Sequence, residues 1–143
     1  MSTLPGILTA FTNTLRDLTG AVEWYATQPG EEMGALPACY TDYDGSKPSR
    51  ETYGKPSAQM CHRVHSLIGV VAVGRTSDLA SEGPRLTEMA QAVMDGFDAD
   101  YTLGYEEGVE LRITDIHQET IYLGAGQTPY TALLVSAEVK EIV

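Results

Sequence analysis

An α+β fold, built as a mostly antiparallel, curved β-sheet packed by two amphipathic helices, follows from three features of the sequence. Apolar residues recur at helical spacing in two places, around residues 7–18 and 86–97. A long strand-like segment lies between them, and the last third of the chain holds three strand candidates joined by links too short for a crossover. A chain of 143 residues with a 43% hydrophobic and 20% charged share suits one domain with an ordinary core, so residues 1–143 are taken as a single domain.

The first helix opens at Pro5, which suits an initial turn, and carries Ile7, Leu8, Phe11, Leu15 and Leu18 on one stripe. Thr12, Asn13, Arg16 and Asp17 fall largely between those positions, and Gly20 stands where a helix commonly stops. Between residues 21 and 37 the signals are mixed. Val22, Trp24 and Tyr25 suit either a short strand or more helix, while Pro29, Gly30 and Gly34 mark a loop. Residues 36–43 have strand composition. Residues 44–57 collect Gly45, Pro48, Gly54 and Pro56 among Ser, Lys, Arg and Glu, which predicts a long flexible loop and a contact surface formed by Lys47, Arg50, Glu51, Tyr53 and Lys55.

Residues 60–73 read as a long strand, polar at first and then apolar through Leu67, Ile68, Val70 and Val71, with Gly69 and Gly74 marking a bulge or bend. The second helix takes Ser81 as its cap and Pro84 near its first turn, and places Leu86, Met89, Ala90, Val93, Met94 and Phe97 on one face. Three strands follow at residues 109–116, 119–123 and 130–139; Val109, Leu111 and Ile113 alternate in the first, and Leu133, Val135, Ala137 and Val139 in the last.

Charge and motif content exclude several classes. A net charge of -11, with the Lys and Arg residues scattered, opposes tight binding to a phosphate backbone. No apolar run approaches the ~20 residues of a bilayer-spanning helix, so no membrane association is expected. No Lys or Arg precedes Arg16, unlike a secretory signal, and a cytosolic site of synthesis is expected. Cys39 and Cys61 are too few for a disulfide scaffold and read as buried thiols. Neither a G-x-S-x-G elbow nor a phosphate-cradling glycine motif occurs, and no serine or cysteine is visibly poised by a histidine.

Cys61, His62 and His65 are the densest set of potential metal ligands, with Cys39 and His117 elsewhere, and a small metal-dependent hydrolase would be built on them. A strand turns Cys61 and His65 to one face and His62 to the other, so the expectation is no metal, no cofactor and no catalytic residue. The carboxylates after the second helix, with Asp98, Asp100, Glu106 and Glu107 at their centre, read as a solvated acidic rim.

Order and content together resemble the tail terminators, or tail-completion proteins, of long-tailed bacteriophages. The resemblance runs over essentially the whole chain. It is carried by the short first helix, L-P-A at residues 36–38, H-R-V-H-S-L-I-G-V-V-A-V-G-R at 62–75, R-L-T-E-M-A-Q-A-V-M-D at 85–95, and three strands ending in A-L-L-V-S-A-E-V. It implies a ring-forming subunit, usually in six copies, that caps the head-proximal end of the tail tube, stops its elongation and receives the head. The implied partners are further copies of the chain, the tail tube protein and the head-tail connector or stopper, with genomic DNA passing through the lumen unbound. The implied place is the neck of the virion tail, after synthesis in the bacterial cytoplasm. Such a protein is not an enzyme, and Asp98, Asp100, Glu106 and Glu107 would then line a lumen or rim that repels DNA. Another neck component, a head-completion or minor tail protein, would share the same layout.

Overall fold

The computed structural model of the chain describes residues 3–25, 36–50, 61–75, 79–106, 108–123 and 128–142. The first helix, α1 (Leu4–Thr19), forms where the apolar stripe predicts it. Thr3 caps its start, its hydroxyl accepting from the Gly6 N–H at 3.1 Å. Gly20 ends it in the left-handed region at φ 70°, where glycine escapes the Cβ penalty, and donates its N–H to the Arg16 carbonyl at 2.9 Å. Ile7, Phe11 and Leu15 are fully buried. Thr12, expected on the polar side, is buried as well. Its hydroxyl donates to the Leu8 carbonyl at 2.8 Å and so accepts from Thr41 at 2.7 Å, which satisfies both groups at the junction with the sheet.

The strands are β1 (Glu23–Tyr25), β2 (Ala38–Arg50), β3 (Cys61–Arg75), β4 (Val109–Leu123) and β5 (Thr128–Ile142), and the second helix, α2 (Leu79–Ala99), lies between β3 and β4 in the chain. They form a sheet in the order β1-β2-β3-β5-β4. All neighbours are antiparallel except β1 and β2, which run parallel over Glu23–Tyr25 and residues 38–40. The ambiguous stretch at 21–37 therefore contributes a very short edge strand, and residues 26–35 lie outside the described residues.

Three expectations need correction. Residues 44–50 are not loop: β2 runs on through them, pairing residues 45–50 with residues 66–61 of β3. The glycine and proline that suggested a loop are instead accommodations within a strand. The register shifts between Tyr43 and Gly45, Gly45 takes φ 123°, and Pro48, which has no N–H to donate, sits on a strand only partly covered by β1. Lys47 and Arg50 thus belong to β2, whereas Glu51, Tyr53 and Lys55 and the rest of 51–57 lie outside the described residues. The strands expected at 109–116 and 119–123 are one strand, β4, bulged between Ile113 and Asp115; its polar middle is polar because the strand is an edge. Finally, α2 starts at Leu79, so Ser81 stands inside its first turn rather than capping it.

Alternate residues of the same strands feed two apolar clusters, one on each face. Both helices pack on one face. There Ile7, Phe11, Leu15, Leu86, Met89, Val93 and Phe97 meet Cys39, Leu67, Val71, Leu133, Val135, Ala137 and Val139. Phe11 stacks on Phe97 with ring centroids 5.2 Å apart, which ties the helices together. On the other face Ala38, Tyr40, Val70, Ala72, Leu123, Tyr130 and Ala132 form a second cluster. The bulge expected at Gly74 is present, as a register shift between Ala72 and Gly74. Gly69 marks something else, a close approach: a Cβ there would lie 2.7 Å from Leu15 Cδ2.

Candidate functional site

Two long strand edges dominate the surface that the fold leaves open. β1 covers only residues 38–40 of β2, so the remainder of β2 has no strand beside it among the described residues. At the other side of the sheet, among the described residues, the outer edge of β4 makes one backbone hydrogen bond outside the sheet, the Leu111 N–H donating to the Tyr101 carbonyl at 2.6 Å. The pairing registers align these edges in rows. Lys47, Val64, Lys140 and Glu110 form one row, and Gly45, Ser66, Glu138 and Arg112 the next.

At the β4 end of these rows lies a groove of about 530 Å³, lined by Glu110, Arg112, Glu138 and Lys140 and reaching round the edge to Tyr101 and Leu111. Its charges alternate. Arg112 Nη2 donates to Glu138 Oε2 at 3.0 Å, and Glu110 stands opposite Lys140 in the register. Tyr101 is 52% exposed at its rim. At the β2 end, Lys47 and Asp44 are exposed; partial burial, and then the neighbouring Asp44, push the Asp42 carboxyl above its usual range.

The β2–β3 register also brings together groups that sequence inspection did not pair. Ser46 Oγ lies 2.5 Å from His65 Nδ1, and His65 Nε2 lies 3.1 Å from Glu141 Oε1. Tyr43 hydrogen-bonds the same Ser46 hydroxyl. A serine is thus poised by a histidine after all. These partners are separated by 19 and 76 residues in the chain, so only the strand pairing could reveal them. Hydroxyl, imidazole and carboxylate in series resemble the relay that activates a nucleophile. One assignment satisfies all three contacts: Tyr43 donates to Ser46, Ser46 to Nδ1, and Nε2–H to Glu141. Because His65 and Glu141 are buried, the series serves to tie β2, β3 and β5 together at the polar end of the sheet.

The other histidine with a described side chain, His117, lies exposed between two carboxylates of its own strand. Its Nδ1 lies 2.6 Å from Asp115 Oδ2 and its Nε2 3.4 Å from Glu119 Oε2. The hydrogen bond that its ring N–H donates to the Asp115 carboxylate raises its pKa above the usual imidazole value. His65 and His117 therefore each spend both ring nitrogens on different partners. Among the described residues no three His, Cys, Asp or Glu side chains converge as a metal site. The side chains of Cys61 and His62 lie outside the description; Cys39 is buried, and burial pushes its thiol up to about 11.

Of the predicted acidic rim, Asp98 and Asp100 are exposed at the end of α2 and Glu106 is exposed in the following turn, while Glu107 lies outside the described residues. Asp100 Oδ1 accepts from the Gly104 N–H at 3.3 Å, closing that turn. No basic residue occupies the last turn of α2, so these carboxylates face the negative end of the helix uncompensated from within it. No described helix is long and apolar enough to cross a membrane.

No family model matches the chain, and no curated protein matches it in sequence. Among solved structures, a chain in the virion of a native gene transfer agent particle is similar over 97% of this chain and 99% of that one, at 14% identity and a TM-score of 0.38. So loose a superposition carries no functional conclusion.

Proposed function

We propose that the chain is a structural virion protein that caps the head-proximal end of a phage tail tube as an oligomeric ring, ends tube elongation and offers a docking surface to the head connector. The observation that carries this reading is the order of elements: a helix, the Leu36–Ala38 step into a strand, the 62–75 strand, a helix and a terminal pair of long strands. The resemblance to tail terminators rests on this order with three strands at its end, the first two of which are one strand, β4, in the structure. Two further features support it. The open edges of β2 and β4 are different surfaces on opposite sides of one sheet, and a closed ring needs such a heterologous pair. A net charge of -11, with Asp98, Asp100 and Glu106 exposed together, suits a wall past which DNA must slide without adhering.

In this reading the protein works by fit rather than by chemistry. Its partners are further copies of itself, the tail tube protein and the connector or stopper above it. Electron microscopy of purified protein and of assembled particles tests the proposal. A ring at the junction of head and tail is the expected result. Particles whose junction contains no such ring, or a chain found only elsewhere in the virion, would overturn it.

A further inference from the structure

The series that runs from Glu141 through His65 to Ser46 is buried at one end and open at the other. Glu141 and His65 are buried, whereas Ser46 and Tyr43 are exposed. The enclosed imidazole is held at both nitrogens, its Nε2 lying 3.1 Å from Glu141 Oε1 and its Nδ1 2.5 Å from Ser46 Oγ. β2 is shaped locally to complete the arrangement. Tyr43 and Ser46 are three residues apart in the chain and would point to opposite faces of a regular strand. The bulge between Tyr43 and Gly45 adds the residue that brings them to one face, and Gly45 takes the φ of 123° that glycine tolerates. The tyrosine hydroxyl thereby reaches the serine hydroxyl.

We propose that Ser46 is a surface nucleophile, with His65 as its general base, that takes the acyl group from small activated carboxylic esters. A serine hydroxyl has one hydrogen and two lone pairs; the hydrogen goes to Nδ1, one lone pair accepts from Tyr43, and the other is left to attack. The Oγ–C bond forms as the Ser46 proton passes to Nδ1, and Glu141, accepting from Nε2–H, faces the imidazolium so made. The bond from carbon to the leaving oxygen then breaks, that oxygen taking the proton back from Nδ1 and departing as the alcohol. Water repeats the sequence on the acyl-serine, giving up a proton to His65, and releases the acid and the free Ser46 hydroxyl. Glu141 is a positioning residue in this scheme. The class of ester follows from the setting. Ser46 stands on an open strand, outside the groove at the β4 edge. A built oxyanion hole contributes about 10²–10³ in rate, so esters whose leaving group departs readily without one are what an open site suits. This reactivity does not depend on the ring reading.

Labelling of the purified full-length chain with an alkyl fluorophosphonate, read by mass spectrometry, tests the proposal. Fluoride leaves as the bond from Ser46 Oγ to phosphorus forms, so each adduct is permanent and can be located. One adduct per chain, on Ser46, is expected, and para-nitrophenyl acetate should give a matching burst of para-nitrophenol. Ser46→Ala, a change at an exposed position, should abolish both. General-base assistance contributes about 10²–10⁴ in rate, so His65→Gln should label roughly a hundredfold more slowly or worse, and so should the parent chain unfolded in urea. The rate in the folded parent should rise with pH and level off once the imidazole is neutral, which an unassisted hydroxyl would not do. Glu141→Gln keeps an acceptor for Nε2–H and loses the charge. In protein that circular dichroism shows to be folded it should slow labelling, whereas a residue that only ties strands would leave the rate per folded chain unchanged; this variant decides the matter where His65→Gln does not fold. An unlabelled Ser46 in the folded parent, labelling that survives both His65→Gln and Glu141→Gln at full rate, or adducts spread evenly over Ser46, Ser66 and Ser136 would overturn the proposal.

Discussion

Replacing Gly69 by alanine tests how α1 is seated on the sheet. A Cβ at this position would lie 2.7 Å from Leu15 Cδ2 and 2.9 Å from Phe11 Cε1, against the ~3.5–4.0 Å at which carbon atoms rest in contact. Neither neighbour can swing away into solvent, since both are 0% exposed. Phe11 is further held by its stacking on Phe97. The added methyl must therefore lift α1 from β3, an overpacking of about 1–3 kcal/mol. Removing glycine from a strand interior returns about 0.5–1 kcal/mol, so the net expectation is a loss of roughly 1–2 kcal/mol and a melting temperature lower by about 5 °C. Urea unfolding followed by circular dichroism measures it. A double variant isolates the cause. Leu15→Ala alone should lose about 2–5 kcal/mol through its cavity, but that cavity can receive the new methyl, so the pair should be less damaging than the sum by at least ~1 kcal/mol. A Gly69→Ala protein as stable as the parent, or strict additivity with Leu15→Ala, would refute the close seating.

Other perturbations follow from the same contacts. His117 should titrate above the ordinary imidazole value, because Asp115 and then Glu119 favour its charged form. A group raised in the folded state adds its stabilisation below the unfolded pKa and loses it as pH rises through the folded one. Proton NMR should find the midpoint lowered in Asp115→Asn, and an unchanged midpoint would contradict the assigned hydrogen bond. Cys39, with its thiol pushed up to about 11 by burial, should react with a thiol reagent in the Cys61→Ser background only on unfolding; rapid labelling of native protein would place it at the surface. His65→Ala should lose roughly 1–3 kcal/mol by cutting the series from Ser46 to Glu141, which denaturant titration can measure. Asp98→Lys should stabilise α2 by about 0.3–1 kcal/mol through its dipole, yet impair particle function if that carboxylate faces DNA; unimpaired particles would remove Asp98 from the lumen.

What could be read in the sequence was whatever a period of burial imposes. Ile7, Phe11 and Leu15, and Leu86, Met89, Val93 and Phe97, face the core because a helix between water and a sheet must bury one stripe, and that requirement is local. The apolar end of β3 was legible for a similar reason: it is buried on both faces, Val71 in one cluster and Val70 and Ala72 in the other. What could not be read depends on residues distant in the chain. The glycine and proline of residues 44–50 imitate a loop, and only the pairing of Ser46 with His65 and Lys47 with Val64 makes them strand. Gly69 resembles a bend until α1 is laid across it. The edge rows required all three antiparallel registers at once, since Lys47 and Glu110 have no local relation. Of the predicted contact residues, Lys47 and Arg50 are therefore placed in β2 by its pairing with β3, Lys47 at an exposed position at the end of a charged row.

The acidity and the edges bear on one another. Copies that each carry a net charge of -11 repel as they approach, and six in a ring would do so strongly at low ionic strength. At 0.1 M salt the Debye length is about 10 Å, so the repulsion between distant carboxylates fades while contacts of a few ångströms keep much of their strength. Association must then depend on where the few cations stand. With 9 Lys and Arg against 20 Asp and Glu, a basic residue at an open strand edge is scarce, and Lys47 and Arg112 occupy the two edges in neighbouring rows. Raising the salt from low ionic strength should therefore favour assembly by screening the net charge, and assembly that salt leaves unchanged would show that the net charge does not oppose it.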